Sequence, residues 1–333
     1  HQFSSPLGAP LVQECRGIIL DSTDKLWRPV CYGLSKFFNY GEKYAVEIDW
    51  STARVEEKFD GSAIYLWNYD GAWQTSTTGS PAATGPVRTA ALSGEEASLR
   101  FCDLFWKVYY SFGVPLPVDT RFTYMFELMT LENQIVVAHP IDRLILFGVR
   151  SLTTFEEHHP SEFKELSCFL AERLPMNDYF IGDTARIGVV AKAAEQLNPV
   201  EHEGFVVVDQ WFHRLKVKSP RYVELHRLIS NLTEKDILQF TLSGEMDEIV
   251  SYFPKLEEVY LECLEKVDTF EKYCTNLFMK YKDSSSKKDF ALQVKDLPMA
   301  PVLFALYDGK VTSPKTYLTQ CSSDSALRLL GAI

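Results

Sequence analysis

Over the first two thirds of the chain, apolar residues recur at every second position or in short unbroken runs. Residues 65–69 and 72–78 flank Asp70-Gly71, which predicts a β-hairpin, because Gly tolerates the positive φ of a two-residue turn. Residues 122–129 and 141–149 read as buried strands. Leu99, Cys102, Phe105, Trp106 and Tyr109 share one face of a predicted helix over 95–110, and a second helix is expected around 162–173. Two β-branched runs, 203–208 and 213–218, are separated by Asp209-Gln210 and the two residues after it. With Asp209-Gln210 as a two-residue loop, Glu203 would stand opposite Lys216. Strand alternation puts Lys216 and Lys218 on one face and Leu215 and Val217 on the other.

The pattern changes after Tyr222. Leu256, Val259, Tyr260, Cys263, Val267, Phe270, Cys274, Leu277, Phe278 and Tyr281 fall at helical spacing, a single amphipathic helix of roughly seven turns. The serine run 284–286 ends it, and a serine there can cap a further helix over 287–294. Residues 299–306 and 325–330 suggest more helix. The expected organisation is a mixed α+β domain over 1–225 followed by an all-helical domain over 226–333, with no internal repeat.

At 333 residues the chain can bury a real core and divide into two domains. No apolar run approaches the roughly 20 residues of a membrane span. The opening His1-Gln-Phe-Ser-Ser-Pro matches neither a signal nor a transit peptide, and without an initiator Met it reads as a trimmed or fragment-numbered chain. Seven cysteines with no C-x-x-C pair point to reduced thiols and a cytoplasmic setting. A net charge of −11, from 34 basic and 45 acidic residues, argues against indiscriminate polyanion binding but not against a local basic site, and 213–221 is locally basic.

Candidate chemistry centres on Val55-Glu-Glu-Lys-Phe-Asp-Gly-Ser-Ala-Ile-Tyr-Leu-Trp67. Alone, Lys58 could be a solvent-facing strand residue before an Asp60-Gly61-Ser62 turn. A cross-strand pair of Glu203 with a lysine would likewise be worth under ~1 kcal/mol on a surface. Glu127, however, is a lone carboxylate inside an apolar strand, where an unpaired charge demands a cation. Arg16 and Lys36 similarly sit against apolar runs. So many isolated charges suit a shared ligand, and basic groups with two or three carboxylates suit a nucleoside triphosphate with a divalent metal.

Glu57-Lys-Phe-Asp-Gly-Ser62 resembles the K-x-D-G nucleophile motif of covalent nucleotidyltransferases: DNA ligases, RNA ligases and RNA capping enzymes. Glu127 in Met-Phe-Glu-Leu-Met, the run 141–147, Glu203-Gly-Phe-Val206 and Lys216-Val-Lys218 resemble the later motifs, in the expected order. Glu14-Cys-Arg-Gly17, Lys36-Phe-Phe-Asn39 and Glu132-Asn-Gln-Ile-Val136 narrow the resemblance to the bacteriophage RNA ligase 1 type of ATP-dependent RNA ligase. It covers residues 14 to about 225 firmly and the helical part loosely.

That resemblance implies an ATP-grasp-like pair of antiparallel sheets. It also implies ATP and Mg²⁺ as cofactors, and RNA with 3′-hydroxyl and 5′-phosphate ends as partner, by analogy a structured RNA such as cleaved tRNA. Lys58 would accept AMP, and Lys216 and Lys218 would lower its pKa and hold the α-phosphate. Arg16 and Lys36 would hold the outer phosphates, Gly61 would border the nucleotide, and Val206 would pack on adenine. Asp60, Glu127 and Glu203 would position Mg²⁺, directly or through water, or the ribose hydroxyls. A monomer is expected. Capping enzymes and DNA ligases are the alternative enzymes, but they follow the core with a strand-rich module. A non-catalytic RNA-binding relative is the alternative of another class.

One position departs from the family pattern. Where a basic residue usually precedes a Gly-Ser, the string is Thr77-Thr78-Gly79-Ser80, so either that charge is missing and ATP is held less tightly, or another residue such as Arg88 supplies it. Thr78→Lys is expected to tighten ATP binding by about 1–3 kcal/mol, the worth of a charge-assisted contact. Calorimetric titration checks this, and an unchanged affinity would mean that the charge is supplied elsewhere.

Overall fold

The computed structural model describes residues 5–23, 25–87, 99–171 and 186–332. They form two compact units that divide between residues 229 and 230. A five-residue helix α1 (Pro10–Glu14) opens the first unit. Its strands are β1 (Ile19–Asp21), β2 (Arg28–Cys31), β3 (Phe38–Asn39), β4 (Arg54–Lys58), β5 (Ser62–Tyr69), β6 (Ala72–Thr77), β7 (Phe122–Met129), β8 (Arg143–Ser151), β9 (Glu157–His158), β10 (Gly204–Val208) and β11 (Arg214–Lys218). Helices α2 (Phe101–Ser111), α3 (Arg186–Glu195) and α4 (Pro220–Ser230) accompany them. A five-stranded antiparallel sheet has the order β6-β5-β7-β8-β9, and a four-stranded sheet has the order β3-β11-β10-β4, parallel only at β3–β11. β1 and β2 form a separate hairpin.

Alternation decides which side chains face the space between the two main sheets. In the five-stranded sheet, Ile64, Leu66, Tyr124, Phe126, Leu128, Leu144 and Leu146 pack with Leu104, Phe105, Val108 and Tyr109 of α2. The opposite face carries Ala63, Tyr65, Trp67, Met125 and Phe147, with Cys31 and Leu34 packed on it. Glu127 pairs with Ala63 across β5 and β7, so it belongs to this second face. In the four-stranded sheet, Phe205, Val207, Leu215 and Val217 pack with Val190 and Ala194 of α3. Lys58, Val206, Lys216 and Lys218 are left on the other face, with Lys58 opposite Gly204, Gly204 opposite Lys218, and Val206 opposite Lys216.

The β5–β6 turn is the expected one: Asp70 and Gly71 take φ of 50° and 79°, and Tyr69 pairs with Ala72. The β10–β11 turn is not. Its loop is five residues, because Val208 pairs with Arg214, so Lys216 stands opposite Val206 rather than Glu203. The buried Asp209 carboxylate holds the longer loop by accepting from the N–H groups of Trp211 (2.9 Å) and His213 (3.0 Å), and Phe212 takes φ of 60°. The helix expected around 162–173 is replaced by two 3₁₀ turns, Pro160–Glu162 and Lys164–Phe169. The first is set by His159 and Glu162, which cap each other's backbone N–H groups. β8 starts at Arg143, past Pro140 and the exposed Ile141, since Pro donates nothing to a ladder. For the helix expected over 95–110, residues 95–98 lie outside the described residues and α2 begins at Phe101. Residues 172 and 173 likewise lie outside them.

The second unit is helical: α5 (Glu234–Ser243), α6 (Met246–Tyr252), α7 (Glu257–Tyr281), α8 (Lys287–Val294), α9 (Ala300–Tyr307), α10 (Pro314–Gln320) and α11 (Ser323–Leu330). The apolar stripe of α7 buries Val267, Phe270 and Cys274 against Phe290, Val302, Leu303 and Leu318. Ser286 accepts from the N–H of Asp289 and caps α8. The domain break expected after residue 225 falls within α4. Among the described residues no helix is long and apolar enough to cross a membrane.

Gly204 takes φ of 147°, and a Cβ there would meet the carbonyl oxygen of Val217 at 2.3 Å. Gly204→Ala is therefore expected to destabilise the first unit by about 2–4 kcal/mol through strain and overlap. A denaturant midpoint unchanged from the parent would show that this backbone can relax.

Candidate active site

Between the two sheet faces lies a cleft of about 1100 Å³. Lys58, Val206 and Lys216 line it from the four-stranded sheet, and Tyr65, Glu127 and Phe147 line it from the five-stranded sheet. Arg16, Phe37, Gly61 and Thr78 complete the part nearest the lysines. Lys58 is the last residue of β4, and Phe59-Asp60-Gly61 carries the chain across to β5 in the other sheet. Gly61 is required by close approach, since a Cβ would meet the carbonyl oxygen of Leu128 at 2.5 Å.

Glu203 immediately precedes β10, and the unusual φ of Gly204 follows it. Its carboxylate is only 4% exposed and bridges two ammonium groups, Lys58 Nζ at 2.7 Å and Lys218 Nζ at 2.7 Å. Although β10 and β11 pair in another register than expected, Glu203 still meets lysines of that face. Burial alone would push Lys58 down. The charges of Glu203 and Glu127, and the hydrogen bond to Glu203, outweigh burial and raise its pKa above the ordinary value. This corrects the expectation that Lys216 and Lys218 would lower the pKa of Lys58: in this state Lys58 is held charged.

Lys216 is the depressed amine. Burial, then the charges of Arg16, Lys58, Lys218 and Lys36, bring it down to about 7. Its ammonium lies 4.3 Å from the centroid of the Phe37 ring. Glu127 moves the opposite way for the same reason. Burial raises its pKa to about 7, Lys58 opposes the rise, and Glu203 and Asp60 reinforce it.

Asp60 is placed for structure. Its side chain is buried, Oδ2 accepts from the N–H groups of Val136 (2.8 Å) and Val137 (2.7 Å), and Oδ1 accepts from the Tyr222 hydroxyl at 2.6 Å. Those three bonds anchor the β4–β5 crossing and leave little of the carboxylate for the Mg²⁺ or ribose role expected of it. Among the described residues no three His, Cys, Asp or Glu side chains converge on a metal-sized point. A ready cage of Asp60, Glu127 and Glu203 is therefore absent among them. The donor chemistry still fits a hard divalent ion, which keeps several waters and needs few direct carboxylates. Glu127 fits that need best, since burial disfavours its charge until a cation offsets it.

Arg16 lies in the bend before β1 and Lys36 in the irregular stretch before β3, rather than on strands. Arg16 lines the cleft, whereas Lys36 is set back, with Nζ 5.3 Å from the Phe38 ring centroid. Lys218 is also set back, behind Glu203. Lys58, Asp60 and Glu203 border a second cavity of about 400 Å³. Thr78 lies beside the Arg16-Gly17 turn: its Cα is 3.3 Å from where a Gly17 Cβ would be. Arg88 lies outside the described residues. Two site residues carry no isolated sequence signal: Phe37, under the Lys216 ammonium, and Tyr222, which holds Asp60 and lies 5.5 Å by ring centroid from Lys218 Nζ.

Two sheets, antiparallel except at β3–β11, thus close on a strand-end lysine, an arrangement that suits a covalent nucleotidyltransferase. The RNA ligase family model matches residues 14–222, and the chain belongs to that family. It is 25% identical to an RNA ligase of Rhodothermus phage RM378, over 89% of this chain and 81% of that protein. It is 27% identical to a protein of Autographa californica nuclear polyhedrosis virus provisionally described as a bifunctional polynucleotide kinase/RNA ligase, over 90% of this chain but 43% of that one. A Naegleria gruberi RNA ligase solved with ATP and Mn is similar at 12% identity and a TM-score of 0.33, over 53% of this chain and 52% of that one.

The raised Glu127 has a measurable consequence. From its ordinary 4.5 to about 7, the folded protein keeps a proton that the unfolded chain has released, so this group makes stability fall as pH rises through that window. Glu127→Gln is expected to shrink the loss of unfolding free energy between pH 5 and pH 8 by about 2–3 kcal/mol. Urea melts at both pH values check it, and parallel losses in the two proteins would contradict it.

Proposed function

We propose that this RNA ligase is ATP-dependent and joins 3′-hydroxyl to 5′-phosphate RNA ends through a lysyl-AMP on Lys58. The observation that supports it most is the convergence of Lys58, Lys216 and Lys218 on one sheet face with Glu127 across a cleft large enough for a nucleotide. In the first step the Lys58 amine attacks the α-phosphorus of ATP, the bond to pyrophosphate breaks, and the amine proton passes to solvent. A 5′-phosphate oxygen of RNA then takes the AMP. Finally a 3′-hydroxyl attacks that 5′-phosphate, forming the phosphodiester and releasing AMP.

Each residue has a share in this scheme. The charged Lys58 is not a nucleophile, so ATP binding must weaken its hold on Glu203 before a proton can leave. Lys216 and Arg16 face the phosphates, and because Lys216 is depressed by burial and by neighbouring cations it gains most when an anion arrives. Lys218 keeps Glu203 in place and Lys36 adds positive potential behind Lys216. Val206 and Phe147 offer apolar surface to the adenine, and Gly61 lets the β4–β5 crossing lie close to it. Glu127, and Glu203 once released, would hold Mg²⁺ through water, and the ion would supply charge stabilisation to the phosphates.

The helical unit is proposed to select RNA by shape, with a structured RNA such as cleaved tRNA as substrate, because structured RNA is read largely through form and backbone. The capping and DNA ligase readings lose ground because residues from 230 onward form helices rather than a strand-rich barrel among the described residues.

Incubation with α-labelled ATP or GTP tests this reading. A denaturation-stable adduct with ATP alone supports it, and Lys58→Ala should abolish that adduct while sealing of pre-adenylated RNA survives in part. A full-strength adduct in Lys58→Ala, or none in the parent protein, would refute it.

A further inference from the structure

In-line displacement at phosphorus puts the attacking and leaving groups on opposite sides. On the lysyl-AMP reading, from which this inference follows, Lys58 is the attacking group in the first step and the leaving group in the second. The RNA 5′-phosphate must therefore approach from the side by which pyrophosphate departs, opposite Lys58. Arg16 is the cation proposed to face the phosphates there, with the positive potential of Lys36 behind it.

Just beyond Lys36 and β3 the chain presents Tyr40, Lys43 and Tyr44 at the surface, with the two tyrosines 52% and 41% exposed. The Tyr40 N–H donates to the carbonyl oxygen of Lys216 at 2.8 Å, which ties the backbone at Tyr40 to β11, the strand that carries the phosphate-facing amine. Tyr44 is steadied by Phe38, with ring centroids 5.7 Å apart, and by Gly8, whose added Cβ would meet the Tyr44 ring at 2.8 Å. Lys43 Nζ lies 5.2 Å from the Tyr44 ring centroid. The one acidic side chain among these residues, Glu42, is turned onto Asn39, accepting from its backbone N–H (3.0 Å) and its Nδ2 (2.6 Å). Exposed rings with adjacent cations are what an unpaired nucleic-acid strand requires, since every base offers a stacking face and every phosphate a charge.

We infer that Tyr40 and Tyr44, with Lys43, form the platform that positions the first unpaired nucleotides of the RNA strand carrying the 5′-phosphate. The step served is AMP transfer. A 5′-phosphate oxygen bonds to the α-phosphorus, the phosphorus–nitrogen bond to Lys58 breaks, and the amine leaves with a proton from solvent. These three are positioning residues and touch neither ATP nor the reacting atoms.

The test uses the full chain and separates the two half-reactions. Tyr40→Ala, Tyr40→Phe and Lys43→Ala are first charged with α-labelled ATP and then given a 5′-phosphorylated single-stranded oligonucleotide. All three should form the covalent adduct at the parent rate. Tyr40→Ala should raise the half-saturating RNA concentration for AMP transfer about tenfold with little change in maximal rate. Tyr40→Phe should match the parent, because the ring and not the hydroxyl carries the contact. Lys43→Ala should reduce the salt dependence of transfer by about one ionic contact. Parent-like half-saturation in Tyr40→Ala overturns the platform, and so does an equal defect in Tyr40→Phe. Loss of the adduct itself in Tyr40→Ala would put the ring in the ATP site and overturn it as well. Absence of an adduct in the parent protein would defeat the lysyl-AMP reading instead.

Discussion

A single carboxylate, that of Glu203, sits between Lys58 and Lys218, and the charge balance of the cleft depends on it. Removing one partner of a buried ion pair commonly costs about 3–5 kcal/mol, because the remaining charge stays behind without compensation. Here Glu203 offsets two positive charges at 2.7 Å each, and a third, on Lys216, is left to be neutralised by proton loss near pH 7. Glu127 faces the same pressure with opposite sign. The cleft thus holds an amine and a carboxyl group, Lys216 and Glu127, both poised to become charged when counter-charges arrive. Phosphates would charge the first and a divalent cation the second, so that binding of a metal–nucleotide would relieve strain on both sides.

Backbone pairing creates this arrangement before any side chain is considered. Lys58 and Lys218 both pair with Gly204, the residue after Glu203, so all three strands of the site meet at one rung. A side chain at 204 would collide with β11, and the backbone there adopts a conformation that L side chains rarely take. Two positions further along, Val206 and Lys216 form the next rung on the same face, where the apolar surface proposed for adenine begins. The second sheet contributes Glu127 through plain alternation in β7: its neighbours Phe126 and Leu128 are core, so Glu127 must point to the cleft.

Local pattern explains which of these features a reader of the sequence can anticipate. The β5–β6 hairpin, the apolar strand around Glu127, the shared face of Lys216 and Lys218, and helices α7 and α8 all follow from periodicity and turn chemistry within a few residues. The motif order was equally legible: Lys58 and Lys216 line one wall of the cleft, Glu127 lines the facing wall, and Glu203 is paired with Lys58. What escaped depends on distant partners. The β10–β11 register rests on a five-residue loop held by Asp209 and a left-handed Phe212, which no alternation rule signals. Asp60 is bound by Val136, 76 residues away, and by Tyr222, 162 residues away. The charge state of Lys58 is set by Glu203, 145 residues away, whereas the neighbouring Lys216 and Lys218 suggested the reverse sign.

The central claim is that Glu203 holds the proposed nucleophile protonated until ligand arrives. The most direct measurement is the titration of Lys58 itself in the ligand-free protein, from the pH dependence of its modification rate by an amine reagent, read on the Lys58 peptide. The account predicts a Lys58 pKa above the ordinary 10.5 in the parent protein and a clear downward move in Glu203→Gln, where burial and the neighbouring lysines are no longer opposed by that charge. A Lys58 that titrates below 10.5 in the parent, or does not respond to the substitution, would contradict it.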